Sequence, residues 1–93
     1  ANSQEVDFLI KQGLKITQLI QVCYNLDDEQ TKTREIRSLL KASVELKCNN
    51  LLVITNDYEA DLPAEAFAKA GEKIKNKTIK FISLWRWLLQ SKI

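Results

Sequence analysis

Asp7 is a carboxylate set into an apolar alternation, Val6-Asp7-Phe8-Leu9-Ile10. An acid placed mid-strand needs a charged partner, hydrogen-bond donors or a metal ion, because desolvating a bare carboxylate is costly. Gln21 and Cys23 stand two residues apart in the next alternating stretch, so they share one face of a strand. A hairpin between the two stretches brings Asp7 and Gln21 to the same face of a sheet, with Glu5 two residues before Asp7 on that face. Oxygen ligands in such positions suit Mg²⁺, and a group two residues beyond the second ligand is placed to orient an attacking water. The chemistry this points to is metal-assisted phosphodiester cleavage, with Glu5, Asp7 and Gln21 as metal ligands.

The set is incomplete for that chemistry. Gln21 offers an amide oxygen but no charge, and Cys23 supplies no fixed positive charge. The same residues have a structural reading. Asp7 pairs with Lys11, Lys15 or Arg34, while Gln21 and Cys23 fill the sheet face, a free Cys behaving as a small buried hydrophobe. Other chemistries are excluded by composition. The 93 residues contain no His, which removes His general bases and most zinc sites, and two Cys alone cannot complete a zinc site. Two Gly cannot build a glycine-rich phosphate loop. Cys23 and Cys48 are expected to be reduced thiols of a cytoplasmic protein.

The elements that must position these residues follow from hydrophobic periodicity. Residues 5–12 and 15–24 alternate and flank the turn signal Gln12-Gly13, so they form an antiparallel hairpin. In the second stretch Leu19, Gln21 and Cys23 fall on one face, and Ile16, Ile20, Val22 and Tyr24 on the other. Residues 31–47 read as a helix capped by Asp27 or Asp28, with Ile36, Leu39, Leu40, Val44 and Leu46 as its apolar stripe. The run Leu51-Leu52-Val53-Ile54-Thr55 reads as a buried strand, parallel to 15–24 across the helical crossover. Residues 56–62 form an acidic loop, and 63–70 a short helix begun by Pro63. Residues 78–83 are a further strand. Residues 84–90 are a helix apolar almost all round, which must dock on the sheet. Trp85 and Trp87 in that helix are a core plug rather than a base-stacking platform.

With 45% apolar and 28% charged residues the chain is a single globular domain, not a disordered one. No apolar run approaches the roughly 18 residues of a membrane span. Charge is concentrated at the end, where Lys69, Lys73, Lys75, Lys77, Lys80, Arg86 and Lys92 face the one acid Glu72, while the preceding part is net acidic. A basic end of this kind is a solvated face or a contact for phosphate. Lys75, Lys77 and Lys80, with Arg34, Arg37 and Lys41 on one side of the long helix, are the candidate nucleic-acid contacts. The helical set also has local partners in Glu35 and Glu45, Lys41–Glu45 being an i,i+4 pair.

The succession of motifs resembles a known family. The carriers are Glu5-Val6-Asp7-Phe8, Leu19-Ile20-Gln21-Val22-Cys23-Tyr24, Thr33-Arg34-Glu35-Ile36 with Leu39-Leu40, Leu51-Leu52-Val53-Ile54-Thr55, and Ile82-Ser83-Leu84-Trp85-Arg86-Trp87-Leu88-Leu89. In order and spacing they resemble the PD-(D/E)xK nuclease-like domain at the C-terminus of prokaryotic AAA-type (P-loop) ATPases, from about Glu5 to Leu89. The resemblance implies a restriction-endonuclease-like core lacking its first helix, and a chain that is an excised C-terminal domain of a longer ATPase. It places Asp7 at the motif's Asp, Gln21 where an Asp or Glu belongs and Cys23 where a Lys belongs, a degenerate active site.

The expected fold is therefore α/β, a small mixed sheet of four strands flanked by helices over residues 1–93. The expected function is a catalytically degenerate nuclease-like accessory domain of such an ATPase. It would need no cofactor and would bind nucleic acid or a protein partner, the ATPase module of the same parent chain first among them. An active Mg²⁺-dependent nuclease and a purely structural interaction domain are the alternatives.

Overall fold

The computed structural model describes residues 6–24, 27–67 and 77–90. Its elements are β1 (Phe8–Gln12), β2 (Lys15–Val22), helix α1 (Glu29–Leu46), β3 (Leu51–Thr55), β4 (Ala60–Pro63), a 3₁₀ turn (Ala64–Phe67), β5 (Thr78–Ser83) and helix α2 (Leu84–Gln90). The strands form one mixed sheet in the order β1-β2-β3-β5-β4. β1 is antiparallel to β2, β2 and β5 flank β3 in parallel, and β4 closes the far edge antiparallel to β5. The small mixed sheet flanked by helices is thus as the periodicity implies, with five strands rather than four. The extra strand is β4, which the acidity of residues 56–62 disguises. Its side chains alternate between half-buried Ala60 and Leu62 and exposed Asp61 and Pro63, the pattern of an edge strand with one wet face.

The hairpin turns at Gly13, whose φ of +64° lies in the left-handed region that glycine adopts without cost. Beyond the turn, β2 carries a bulge. Ile10 pairs with Gln18 and Lys11 with Ile16, so Thr17 is an extra residue. The bulge resets the alternation, and Ile16 packs on the Leu19 side of the sheet instead of the Ile20 side expected from strict period two. Side chains satisfy the displaced backbone. Thr17 Oγ1 donates to the Ile10 carbonyl (3.1 Å), and Asn50 Nδ2 donates to the Thr17 carbonyl (3.1 Å).

α1 begins at Asp28, whose carboxylate accepts from the Gln30 and Thr31 amides and the Thr31 hydroxyl. It ends at Lys47, a non-glycine residue in the left-handed region (φ 54°), whose amide closes on the Ser43 carbonyl. Ile36, Leu39, Leu40, Ala42 and Ser43 form the buried face. Val44 is 63% exposed and does not belong to it. At about 100° per residue the buried arc is centred between Leu39 and Ser43, and Val44 falls outside. The small residues Ala42 and Ser43 occupy the face where larger apolar side chains are expected.

Two apolar layers result. One lies between α1 and the sheet and joins Leu19, Cys23, Val53, Ile79 and Phe81 to Ile36, Leu39 and Leu40. The other, on the opposite face, is smaller. Ile20, Leu52, Ile54 and Ile82 meet Leu84 and Trp87 of α2. Trp87 docks on the sheet, whereas Trp85, Leu88 and Leu89 remain exposed. The first turn of α2 is fixed by Glu59, whose carboxylate accepts from the Ser83 hydroxyl (2.8 Å) and amide (3.3 Å) and pairs with Arg86 Nε (2.8 Å).

Leu40→Ala is expected to cost about 2–5 kcal/mol, as for a buried leucine that leaves a cavity. Val44→Ala should change stability by less than about 0.5 kcal/mol. Denaturant midpoints at constant slope would check both. A second expectation concerns acid. The hydrogen bond from the Ser83 hydroxyl, helped by the Ser83 amide and Arg86, holds the Glu59 carboxyl below its ordinary value of 4.5. A lowered folded-state pKa means that the stabilisation is complete above that ordinary value and is lost as pH falls through the folded value. Glu59→Gln should therefore lower stability at neutral pH and flatten its acid decline, read from melting temperature against pH.

Candidate functional site at the open end of the hairpin

Asp7 lies at a bend immediately before β1 and is exposed. Its Oδ2 accepts the Val22 amide at 2.7 Å. The neighbouring amides explain this contact. Leu19 and Cys23 donate across to β3, to Asn50 and Ile54 carbonyls at 3.0 and 2.8 Å, so the Val22 amide between them points the other way. β1 has ended there, and the Asp7 carboxylate takes the place of the missing strand carbonyl. None of the cations Lys11, Lys15 and Arg34 is needed for that role.

Gln21 faces α1 and is 2% exposed. Its Nε2 donates to Glu35 Oε2, while its Oε1 has no hydrogen-bond partner among the described residues. Cys23 is buried on the same face, in the layer under α1. Desolvation, reinforced by the negative charge of Glu35 and opposed by Lys32, pushes its thiol pKa above the ordinary range. Gln21 and Cys23 therefore share a face, as their spacing requires. The hydrogen bonds of Asp7 and Gln21 run to different partners, a backbone amide and a helical carboxylate.

Glu35, which the sequence offers only as a local partner of the helical cations, is the residue whose contact with the sheet sequence reasoning misses. The signal is present, because Glu35 lies one turn before Leu39 and two before Ala42, on the flank of the buried arc. Lys32, one turn before Glu35, holds its Nζ 6.0 Å from the ring centroids of both Tyr58 and Phe67. The Glu59–Ser83–Arg86 junction also escapes a linear reading, since its acid and its donors are joined only by the pairing of β4 with β5.

Of the candidate Mg²⁺ ligands, Asp7 and Gln21 already hold other partners. The ion favours six oxygens in near-octahedral array and is drawn from water by carboxylate charge. Here one Asp7 oxygen is occupied by an amide and one Glu35 oxygen by the Gln21 side chain, which turns its NH₂ toward the carboxylate. Among the described residues no three His, Cys, Asp or Glu side chains are grouped to hold a metal ion. Glu5, the remaining candidate ligand, lies outside the described residues.

The basic candidates are dispersed. Arg37 Nη1 donates to the Phe67 carbonyl at 2.9 Å and ties the 3₁₀ turn to α1. Lys77 Nζ donates to the buried Ser43 hydroxyl at 2.7 Å, and that hydroxyl donates in turn to the Cys48 carbonyl at 2.7 Å. Arg34 and Lys41 are exposed on α1. Lys80 is exposed on β5, beside Leu52 and opposite Asp61 on the other face of the sheet. Lys75 lies outside the described residues. No helix among the described residues is long and apolar enough to cross a membrane. Comparison with family models, with curated proteins and with solved structures found no match.

A buried thiol held protonated beside a carboxylate is a poor nucleophile. Cys23 should resist a thiol reagent in the native state at neutral pH and react at the rate of unfolding. Glu35→Gln should remove the neighbouring charge and bring the thiol pKa down. Reagent kinetics against pH, with Cys48→Ala to isolate Cys23, would check this.

Proposed function

We propose that this chain is a nuclease-like accessory domain with a degenerate active site that works by binding a protein partner, in the cytoplasm, as a module of a prokaryotic AAA-type ATPase. The observation that carries the reading is the use made of the motif residues. Asp7 closes the hairpin onto Val22, and Gln21 joins the sheet to Glu35 of α1. The side chains that would hold a metal and a phosphate instead hold β1, β2 and α1 together. The hairpin, helix and parallel strand that follow one another here are the succession on which the family resemblance rests.

Protein is favoured over nucleic acid as the partner by what the surface presents. Arg37 and Lys77 are engaged inside the fold, and Lys80 stands on the opposite face from α1, so the candidate cations among the described residues form no single track for a phosphate backbone. Among the exposed large apolar side chains, Phe8, Leu9 and Ile10 stand together on β1 and Trp85, Leu88 and Leu89 on α2. Apolar surface of this kind is characteristic of interaction sites.

The domain should show no cleavage of DNA or RNA with Mg²⁺ or Mn²⁺ that Asp7→Asn abolishes. Any nucleic-acid binding should be weak and fall steeply with salt, unaffected by Asp7→Asn. Gel-based cleavage and binding isotherms at two salt concentrations would check this. Cleavage dependent on Asp7 would establish the nuclease alternative in its place.

A further inference from the structure

The two edges of the sheet are built differently. The β4 edge carries Asp61 and Pro63, with Glu59 just before it, features that prevent another strand from adding on. The β1 edge carries Phe8, Leu9 and Ile10, 54%, 46% and 42% exposed, and no described strand pairs with its outer side. The direction of its free groups follows from the hairpin. The Val22 amide points toward the β1 side, so the Ile20 amide does too, and Phe8, opposite Ile20, turns its own amide and carbonyl inward. Leu9, next along the strand, therefore presents both its amide and its carbonyl outward, as Lys11 does.

We propose that the outer edge of β1 is a self-association surface whose occupant is β1 of a second copy of this chain. The two strands run antiparallel about a twofold axis at Leu9 and join two five-stranded sheets into one. This names the partner of the interaction module proposed above and rests on that reading. The strand is self-complementary in this register, which alone sets the opposite charges at its two ends near each other. Leu9 meets Leu9 with both pairs of outward hydrogen-bonding groups matched. Phe8 meets Ile10 twice, on one face and in the closely spaced type of pair. Asp7, exposed at the bend just before β1 with one carboxylate oxygen on the Val22 amide, comes near Lys11 of the other copy twice, an opposite charge at each end of the ribbon. A shift of two residues either way loses both charge pairs. An isologous contact of this kind closes at two copies and leaves the guarded β4 edges outside.

Sedimentation equilibrium of the 93-residue chain should give a monomer–dimer equilibrium. Lys11→Glu, at an exposed position, should weaken the dimer at least about tenfold by setting like charges opposite each other at both ends. Circular dichroism would verify that the variant stays folded. A mixture of Phe8→Cys and Ile10→Cys chains should form a mixed disulfide under mild oxidation in preference to either homodimer, because only the mixed pair lies directly opposite. A chain that remains monomeric overturns the proposal. So does a dimer indifferent to Lys11→Glu, which would place the contact on α2, and so does a dimer without the mixed disulfide, which would place it in another register. A monomeric chain leaves the interaction reading of the site intact, and Asp7-dependent cleavage would overturn that reading without touching the dimer.

Discussion

β3 has no exposed side chain: all five residues from Leu51 to Thr55 are buried, and both of its edges are paired in parallel. A strand buried on both faces requires a layer on each side of the sheet, and the rest of the molecule meets that requirement unequally. α1, with eighteen residues, covers Leu51 and Val53. α2, with seven, covers Leu52 and Ile54 through Leu84 and Trp87. A helix of two turns lacks the area to shield the face completely. That is why the hairpin end of the same face is open, with Phe8 and Ile10 in water.

The polar residues are distributed by the same requirement. Where the core layers end, backbone groups lose their strand partners, and side chains replace them: Asp7 at the Val22 amide, Asn50 at the Thr17 carbonyl, Arg37 at the Phe67 carbonyl and Ser43 at the Cys48 carbonyl. Buried backbone groups left without partners are expensive, so these side chains are committed to the fold. Ser43 is the extreme case. It sits wholly buried in α1, receives Lys77 and binds Cys48, joining the helix end to the approaches of β3 and β5. Residues that look available for chemistry in a linear reading are thereby occupied.

The long elements were legible because their signals are redundant. β3, β5 and α2 have the bounds that period and flanking residues indicate, and α1 is displaced by only two residues at its start and one at its end. The failures have local causes. Ile16 changes face because Thr17 is an inserted residue, which alternation alone does not reveal. Val44 is excluded because the buried arc is centred between Leu39 and Ser43 and extends on the far side to Ala42, small residues that a stripe chosen by hydrophobicity skips. β4 is missed because an edge strand with one wet face has the composition of a loop. At the site, the common face of Gln21 and Cys23 follows from spacing, whereas the Glu35 contact depends on the depth at which α1 lies on the sheet.

The way β3 is paired also governs how the sheet can assemble. The β1–β2 hairpin joins neighbours across a two-residue turn, so it closes over a short loop. Leu51 must instead find Leu19 on one side and Ile79 on the other, contacts that span about thirty residues each way. Such non-local parallel pairings form after local ones and slow the search. The hairpin thus stands ready before the strand that will bury its inner edge, and α1, whose buried face meets Leu19 and Gln21 of β2, has half of its sheet to lie on until β3 completes it. Folding of this small domain is governed by the capture of one central strand, and the chain is most open to intermolecular contact in the interval before that capture.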